Sequence, residues 1–162
     1  MDIALTETMK CLARLAGAWT GTGEGGYPTI DPFQYREALT FTPAAGKAYL
    51  HYDQRTWRRD DSGQEVPSHW ESGFWRILPE GQVELLCVQA SGRVEVARGR
   101  LHPTGDGFSL ELRSSLFAND ARVEQTWREY DLRGDTLRYA LKMQTAAVPA
   151  LTWHVRADLR RR

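Results

Sequence analysis

Apolar and polar residues alternate with a period of two over most of the chain, from Ala18 to Arg160. In Gly107–Arg113 the apolar positions are Phe108, Leu110 and Leu112, set against Ser109, Glu111 and Arg113. In Thr136–Thr145 they are Leu137, Tyr139, Leu141 and Met143. Successive side chains of a strand change face with this period. It predicts strands near Ala18–Thr22, Gln34–Thr42, Ala48–Arg58, His69–Leu78, Val83–Gln89, Arg93–Leu101, Phe108–Ser114, Arg122–Leu132, Leu137–Thr145 and Leu151–Arg160. Turn signals separate the runs at Ala45-Gly46, Asp61-Ser62-Gly63, Pro79-Glu80-Gly81, Ser91-Gly92, Gly105-Asp106-Gly107 and Arg133-Gly134-Asp135. About ten strands joined by short turns read as an all-β antiparallel sandwich or barrel. Meander order favours a closed barrel, because closure removes the unpaired edges. A barrel wider than about eight strands has a lumen that side chains fill poorly, which leaves room for a ligand.

Only the first residues break the pattern. Thr6 is placed to cap a short helix running through Met9–Leu15, with Gly17 as its stop. Glu7 falls in the first turn, where the helix dipole favours a negative charge. Leu12 and Leu15 share one face. The chain is therefore expected to be a single domain, 1–162, with a short N-terminal helix covering one barrel end.

Composition narrows the partners. The chain has 162 residues, 41% hydrophobic and 26% charged, the balance of an ordinary globular protein. Lysine plus arginine and aspartate plus glutamate each number 21, so the net charge is zero. That argues against nucleic acid, which requires a basic excess, and gives no polybasic signal for a membrane surface. No run approaches the roughly 20 apolar residues that span a bilayer. Met1-Asp2-Ile3-Ala4 lacks the basic start and apolar run of a signal peptide. Cys11 and Cys87 have neither metal-site spacing nor a disulfide framework. The expectation is a cytoplasmic protein with free thiols. Six Trp, six Tyr and five Phe suit either a wide core or an apolar ligand cavity.

Four stretches carry the candidate chemistry. Gly17-Ala18-Trp19-Thr20-Gly21-Thr22-Gly23 reads as a first strand whose Trp plugs a barrel end. It is no phosphate loop, since no lysine follows and no helix opens. Tyr27-Pro28-Thr29-Ile30-Asp31-Pro32-Phe33-Gln34-Tyr35-Arg36-Glu37 holds two prolines, so an irregular crossing at the barrel mouth is expected there instead of a ladder strand. Glu37 shares a face with Tyr35, Leu39 and Phe41. An inward carboxylate needs a partner, and Arg76 is the candidate. The third stretch is Ser68-His69-Trp70-Glu71-Ser72-Gly73-Phe74-Trp75-Arg76, and the fourth is Val148–Arg160, which contains His154. His51 alternates with Leu50 and Tyr52 and is expected to face solvent. His102, beside Pro103, is expected to be a turn residue.

Taken together, in order and spacing, these stretches resemble the nitrobindins, a family of haem-binding β-barrels. The similarity runs from Leu12 to Arg160: G-x-W-x-G-x-G at Gly17–Gly23, Y-P-T-I-x-P-F-x-Y-x-E at Tyr27–Glu37, H-x-E-x-G-F-x-R at His69–Arg76, Gly92-Arg93-Val94-Glu95-Val96, and Met143, His154, Leu159 and Arg160 at the close. The resemblance implies a barrel shaped like the fatty-acid-binding proteins, holding a ferric haem b near its opening. It implies binding of nitric oxide and conversion of peroxynitrite to nitrate. It places His154 as the axial iron ligand and sole protein ligand. Thr29 and Met143 fall beside the haem, and His69 on the open side, off the iron. Ser68 stands where many relatives carry methionine, which makes the distal wall more polar.

The strand pattern points the other way for His154. On Leu151–Leu159 the apolar parity is Leu151, Trp153, Val155, Ala157 and Leu159, so a regular strand would turn His154 outward. Inward placement needs a polar lumen or a bulge. Two other functions fit the same barrel. One is a binding module for a fatty acid or similar apolar ligand. The other is a haem or nitric oxide carrier or sensor without turnover. As to assembly, a monomer or weak homodimer is expected.

Overall fold

The computed structural model describes residues 3–162, with side chains described from Glu7 onward. Ten strands follow one helix, α1 (Ile3–Ala13): β1 (Gly17–Tyr27), β2 (Ile30–Pro43), β3 (Tyr49–Arg59), β4 (Glu65–Ile77), β5 (Gln82–Gln89), β6 (Val94–Thr104), β7 (Gly107–Ala118), β8 (Val123–Arg133), β9 (Thr136–Thr145) and β10 (Val148–Arg161). Each strand pairs antiparallel with its neighbours in sequence, and β1 pairs with β10 from Trp19↔Arg161 to Gly25↔Val155, closing the barrel. The expected closed antiparallel barrel with a short N-terminal helix is what forms. The cap expected at Thr6 falls among side chains outside the described ones, and the helix already begins at Ile3.

One end is a solid floor. α1 lies against the turn Pro79–Gly81, to which Thr8 Oγ1 donates a 3.2 Å hydrogen bond at the Gly81 carbonyl. Cys11, Leu12 and Leu15 of this N-terminal segment are buried. Trp19 is fully buried above them, its Nε1 donating to the Leu15 carbonyl at 2.8 Å, with the Arg161 guanidinium 4.2 Å from its ring centre. Phe41, Trp75, Leu85, Phe108, Leu132, Leu137 and Leu159 fill the lower lumen. Each such side chain contributes roughly 1.5–3 kcal/mol by leaving water, so stability is concentrated at this end. Both cysteines are buried free thiols, as expected.

The other end is a mouth. Every register shift in the barrel lies in this half: at Gly25/Tyr27 on β1, Thr56/Trp57 on β3, Val96/Ala97 on β6, Val123/Gln125 on β8, and Val148/Thr152 and Trp153/Val155 on β10. Bulges cluster at barrel rims, where they bend strands and re-aim side chains.

Two expectations are corrected here. The tract Tyr27–Glu37 is no irregular crossing. It is a β-hairpin, with Tyr27 paired to Ile30 across Pro28-Thr29. Pairing of β2 with β3 starts only at Arg36↔Trp57, so Ile30–Tyr35 forms an open edge beside a bulge. Those are the two settings in which a sheet accepts proline, here Pro32. Nor does Glu37 meet Arg76. Trp75 turns inward and Arg76 outward, where it pairs with Glu84 at 3.0 Å. Glu37 is fully buried and is held instead by Gln54 and Tyr139.

Candidate functional site at the barrel mouth

His154 occupies the β10 bulge. Trp153 is opposite Lys142 and Val155 is opposite Leu141, so His154 is the extra residue between two register steps. Leu141 is buried and Lys142 is not, which keeps Val155 inward and Trp153 outward and frees His154 from the parity of its strand. The ring is half-buried and meets Tyr27 edge-on, centroids 5.7 Å apart, and Phe33 at 6.4 Å. Its Nδ1 lies 3.1 Å from the Gly26 carbonyl oxygen. A carbonyl only accepts, so Nδ1 carries the proton and Nε2 keeps its lone pair. Burial pushes the His154 pKa down. The Gly26 bond opposes this, while the charges of Arg93 and His69 add to it.

The hairpin supplies the wall around that ring. Tyr27 OH donates to the Met143 carbonyl at 3.1 Å, tying the hairpin to β9, and Met143 is buried. The glycines of the first motif make room: a Cβ at Gly23 would overlap the Tyr35 ring, and one at Gly25 the Phe33 ring. Thr29 sits at the exposed hairpin tip. Among the described residues its hydroxyl makes no hydrogen bond to either histidine.

His69 is the first inward residue of β4 past the bulge that extrudes Ser68, since Thr56 pairs with His69 and Trp57 with Pro67. Its Nε2 is 3.1 Å from Glu71 Oε2. Glu71 also accepts from Tyr52 OH at 3.1 Å, Gln89 Nε2 at 3.3 Å and Arg128 at 3.2 Å. Arg128 in turn donates to Glu95 at 2.8 Å, and the Thr126 hydroxyl donates to the other Glu95 oxygen. Burial pushes the Glu71 carboxyl up, but the Arg128 charge and the His69 contact overcome it and hold the pKa well below the usual range. Across the lumen, Glu37 behaves oppositely. Burial pushes its pKa up to about 8, against the hydrogen bonds from Tyr139 at 2.6 Å and Gln54 at 2.9 Å, with the Glu71 charge adding to the rise. A neutral acid and an ionised one thus form a polar tier between the floor and the mouth.

The structure brings His154, Met143 and the Tyr27–Phe33 wall together. It sets His69 within electrostatic reach of His154 and leaves Thr29 at the rim. The buried Glu71–Arg128–Glu95 network was missed from sequence. Its signal was there in part: Arg128 shares the inward parity of Thr126, Tyr130 and Leu132.

A concavity of about 1250 Å³ lies apart from the histidines, lined mostly by outward side chains of β1–β3 and β7–β10. Several of its charges are already paired, as in Arg36–Glu65 and Arg138–Asp158. The mouth has what that surface lacks: an uncommitted imidazole nitrogen and a buried, unpartnered Arg93 Nε.

Comparison with known proteins shows the family. Residues 8–161 match a family model described as a THAP4-like, heme-binding beta-barrel domain. "Peroxynitrite isomerase 1" of Rhodococcus jostii is 42% identical over 153 residues, covering 94% of this chain and 83% of that protein. "Peroxynitrite isomerase" of Streptomyces griseus is 38% identical over 148 residues, covering 90% and 78%. The crystal structure of Rv2717c from M. tuberculosis superposes with a TM-score of 0.85 at 35% identity, covering 100% of this chain and 99% of that one. The chain belongs to the THAP4-like heme-binding β-barrel family.

Proposed function

We propose that the mouth holds a ferric haem b on His154 and that the protein isomerises peroxynitrite to nitrate, with nitric oxide as a second ligand of the same iron. The observation that carries this reading is His154 itself, whose Nδ1 is committed to Gly26 while its Nε2 remains bare. Histidines that ligate metals are oriented in this way by a partner on the other nitrogen. His69 also keeps one nitrogen free, but it stands more open to solvent, without the aromatic wall that Tyr27 and Phe33 give His154.

The surrounding residues fit the group. Tyr27, Phe33 and Met143 offer flat, mainly apolar contact, and the unpartnered Arg93 Nε is a donor for a haem carboxylate. Arg93 has Asp120 only at 3.9 Å. When bound, haem would supply the iron chemistry for rearranging peroxynitrite to nitrate. The chain's part would be to hold the iron through His154 Nε2, keep that ring neutral, wall it with Tyr27 and Phe33, and present His69 to the ligand. The names of the relatives support isomerisation as the reaction. With its two buried thiols free, the protein is read as cytoplasmic.

Purified protein mixed with ferric haem should develop a Soret band at one equivalent. The loaded protein should speed peroxynitrite decay, with nitrate as the product. Haem uptake without faster decay would leave a carrier or sensor. No haem uptake, with fatty-acid binding instead, would make the barrel an apolar-ligand module.

A further inference from the structure

We propose that Glu71 is a positioning residue that fixes which nitrogen of His69 the pocket meets. The inference rests on the haem reading above. Its core concerns the protein alone.

His69 lies at the mouth with its side chain 39% exposed, and a ring so placed would rotate freely without a tether. The tether is two residues along the same face of β4, where the Glu71 side chain is only 4% exposed. Side chains from β3, β5 and β8 converge on that carboxylate, through Tyr52, Gln89 and Arg128. β6 supports it indirectly, because Glu95 grips the other arm of Arg128. An ionised carboxylate only accepts hydrogen bonds. The proton between the two side chains therefore belongs to His69 Nε2, and Nδ1 is the nitrogen left for the pocket.

The two histidines are thus oriented in opposite senses. His154 is protonated at Nδ1 and offers Nε2, whereas His69 is protonated at Nε2 and offers Nδ1. With iron on His154, as proposed above, it is Nδ1 of His69 that meets water or substrate. The open side then presents a fixed nitrogen in place of a rotating ring. Outer partners of this kind, buried and hydrogen-bonded on several sides, hold a site residue within the narrow angular range that chemistry needs.

Long-range ¹H–¹⁵N correlation spectra of the haem-free protein report which nitrogen of each histidine carries the proton. The expected result is His69 in the Nε2–H form and His154 in the Nδ1–H form. In Glu71→Gln the amide can donate as well as accept, so His69 should become a mixture. His69 in the Nδ1–H form in the wild type would overturn the proposal. That measurement needs no variant, so a failure of Glu71→Gln to fold does not shelter it. An unchanged His69 in a folded Glu71→Gln would overturn it too. In haem-loaded protein, azide is the probe of the open side. Glu71→Gln should change azide affinity by about tenfold, the worth of one hydrogen bond to an anion. The same substitution should have no effect in a His69→Ala background. An equal effect with and without His69 would show that Glu71 acts by another route. If the protein takes up no haem, the proposed function falls while the spectra still decide the role of Glu71.

Discussion

His154 takes the Gly26 carbonyl just where the β1–β10 ladder stops. The last paired residues are Gly25 and Val155, and beyond them the imidazole Nδ1, 3.1 Å from the Gly26 oxygen, continues the ladder with a side chain. One bond both satisfies a strand end and chooses the nitrogen that faces the lumen.

Removing that imidazole tests the assignment. His154→Ala should lose the Soret band, with a fall in haem affinity larger than the roughly 10–100-fold cost of losing an outer-shell partner. The ring is half-buried and far from the floor, so the β-sheet circular dichroism should persist. His69→Ala should retain haem. An unchanged Soret band in His154→Ala would transfer the ligand role to His69.

Haem retention should also depend on pH. Burial lowers the His154 pKa, so the neutral ring persists below the ordinary histidine value of about 6.5. Ligation needs the neutral ring, so affinity should be flat through neutral pH and fall only under more acid conditions. Below the lowered pKa it should fall about tenfold per pH unit. A spectrophotometric haem titration over acid pH checks this, and a decline already starting above pH ~7 would contradict it.

Glu37 gives a signature on the alkaline side. Its folded pKa is raised from 4.5 to about 8, so over that interval the folded state keeps a proton that the unfolded chain has released. Stability contributed by this group therefore falls as pH rises from 4.5 towards 8 and levels off above it. Glu37→Gln mimics the neutral acid, accepting from Gln54 and donating to Tyr139. Urea midpoints measured across this range should flatten in the variant, which should exceed wild type in stability near pH 8. A wild type whose stability rises with pH across this interval, with Glu37→Gln flat, would show that the carboxyl is needed ionised.

Gly23 and Gly25 answer to packing. A methyl at Gly23 overlaps the Tyr35 ring. Gly23→Ala should cost roughly 1–3 kcal/mol of stability, the usual price of overpacking. Denaturant melts would show it, and a neutral substitution would mean the ring moves aside freely.

The barrel was legible in sequence because each strand buries one face, and a two-residue period records that directly. The site was legible mainly through its resemblance to a family. Parity sent His154 outward, and only an extra residue on β10 brings it to the mouth; alternation along one strand cannot reveal a slip relative to its neighbour. The hairpin at Tyr27–Ile30 was hidden by Pro28 and Pro32, which punctuate most sheets but are accepted at this open edge. Glu37 was placed inward correctly, yet one partner came from the adjacent β3 and the other from β9, which only closure brings across the lumen. The same holds for Glu71, whose partners lie up to 57 residues away in the chain.

Closure of the ring has a kinetic side. Gly26, Tyr27 and Phe33 come from the first hairpin and His154 from the last strand, separated by 128 residues between Gly26 and His154. Loop-closure entropy makes such distant pairings slow and late in folding. If His154 holds the iron, as proposed, a chain with nine strands in place would hold most of the core and still lack that ligand. On that reading, haem capture would report that the first strand has joined the last.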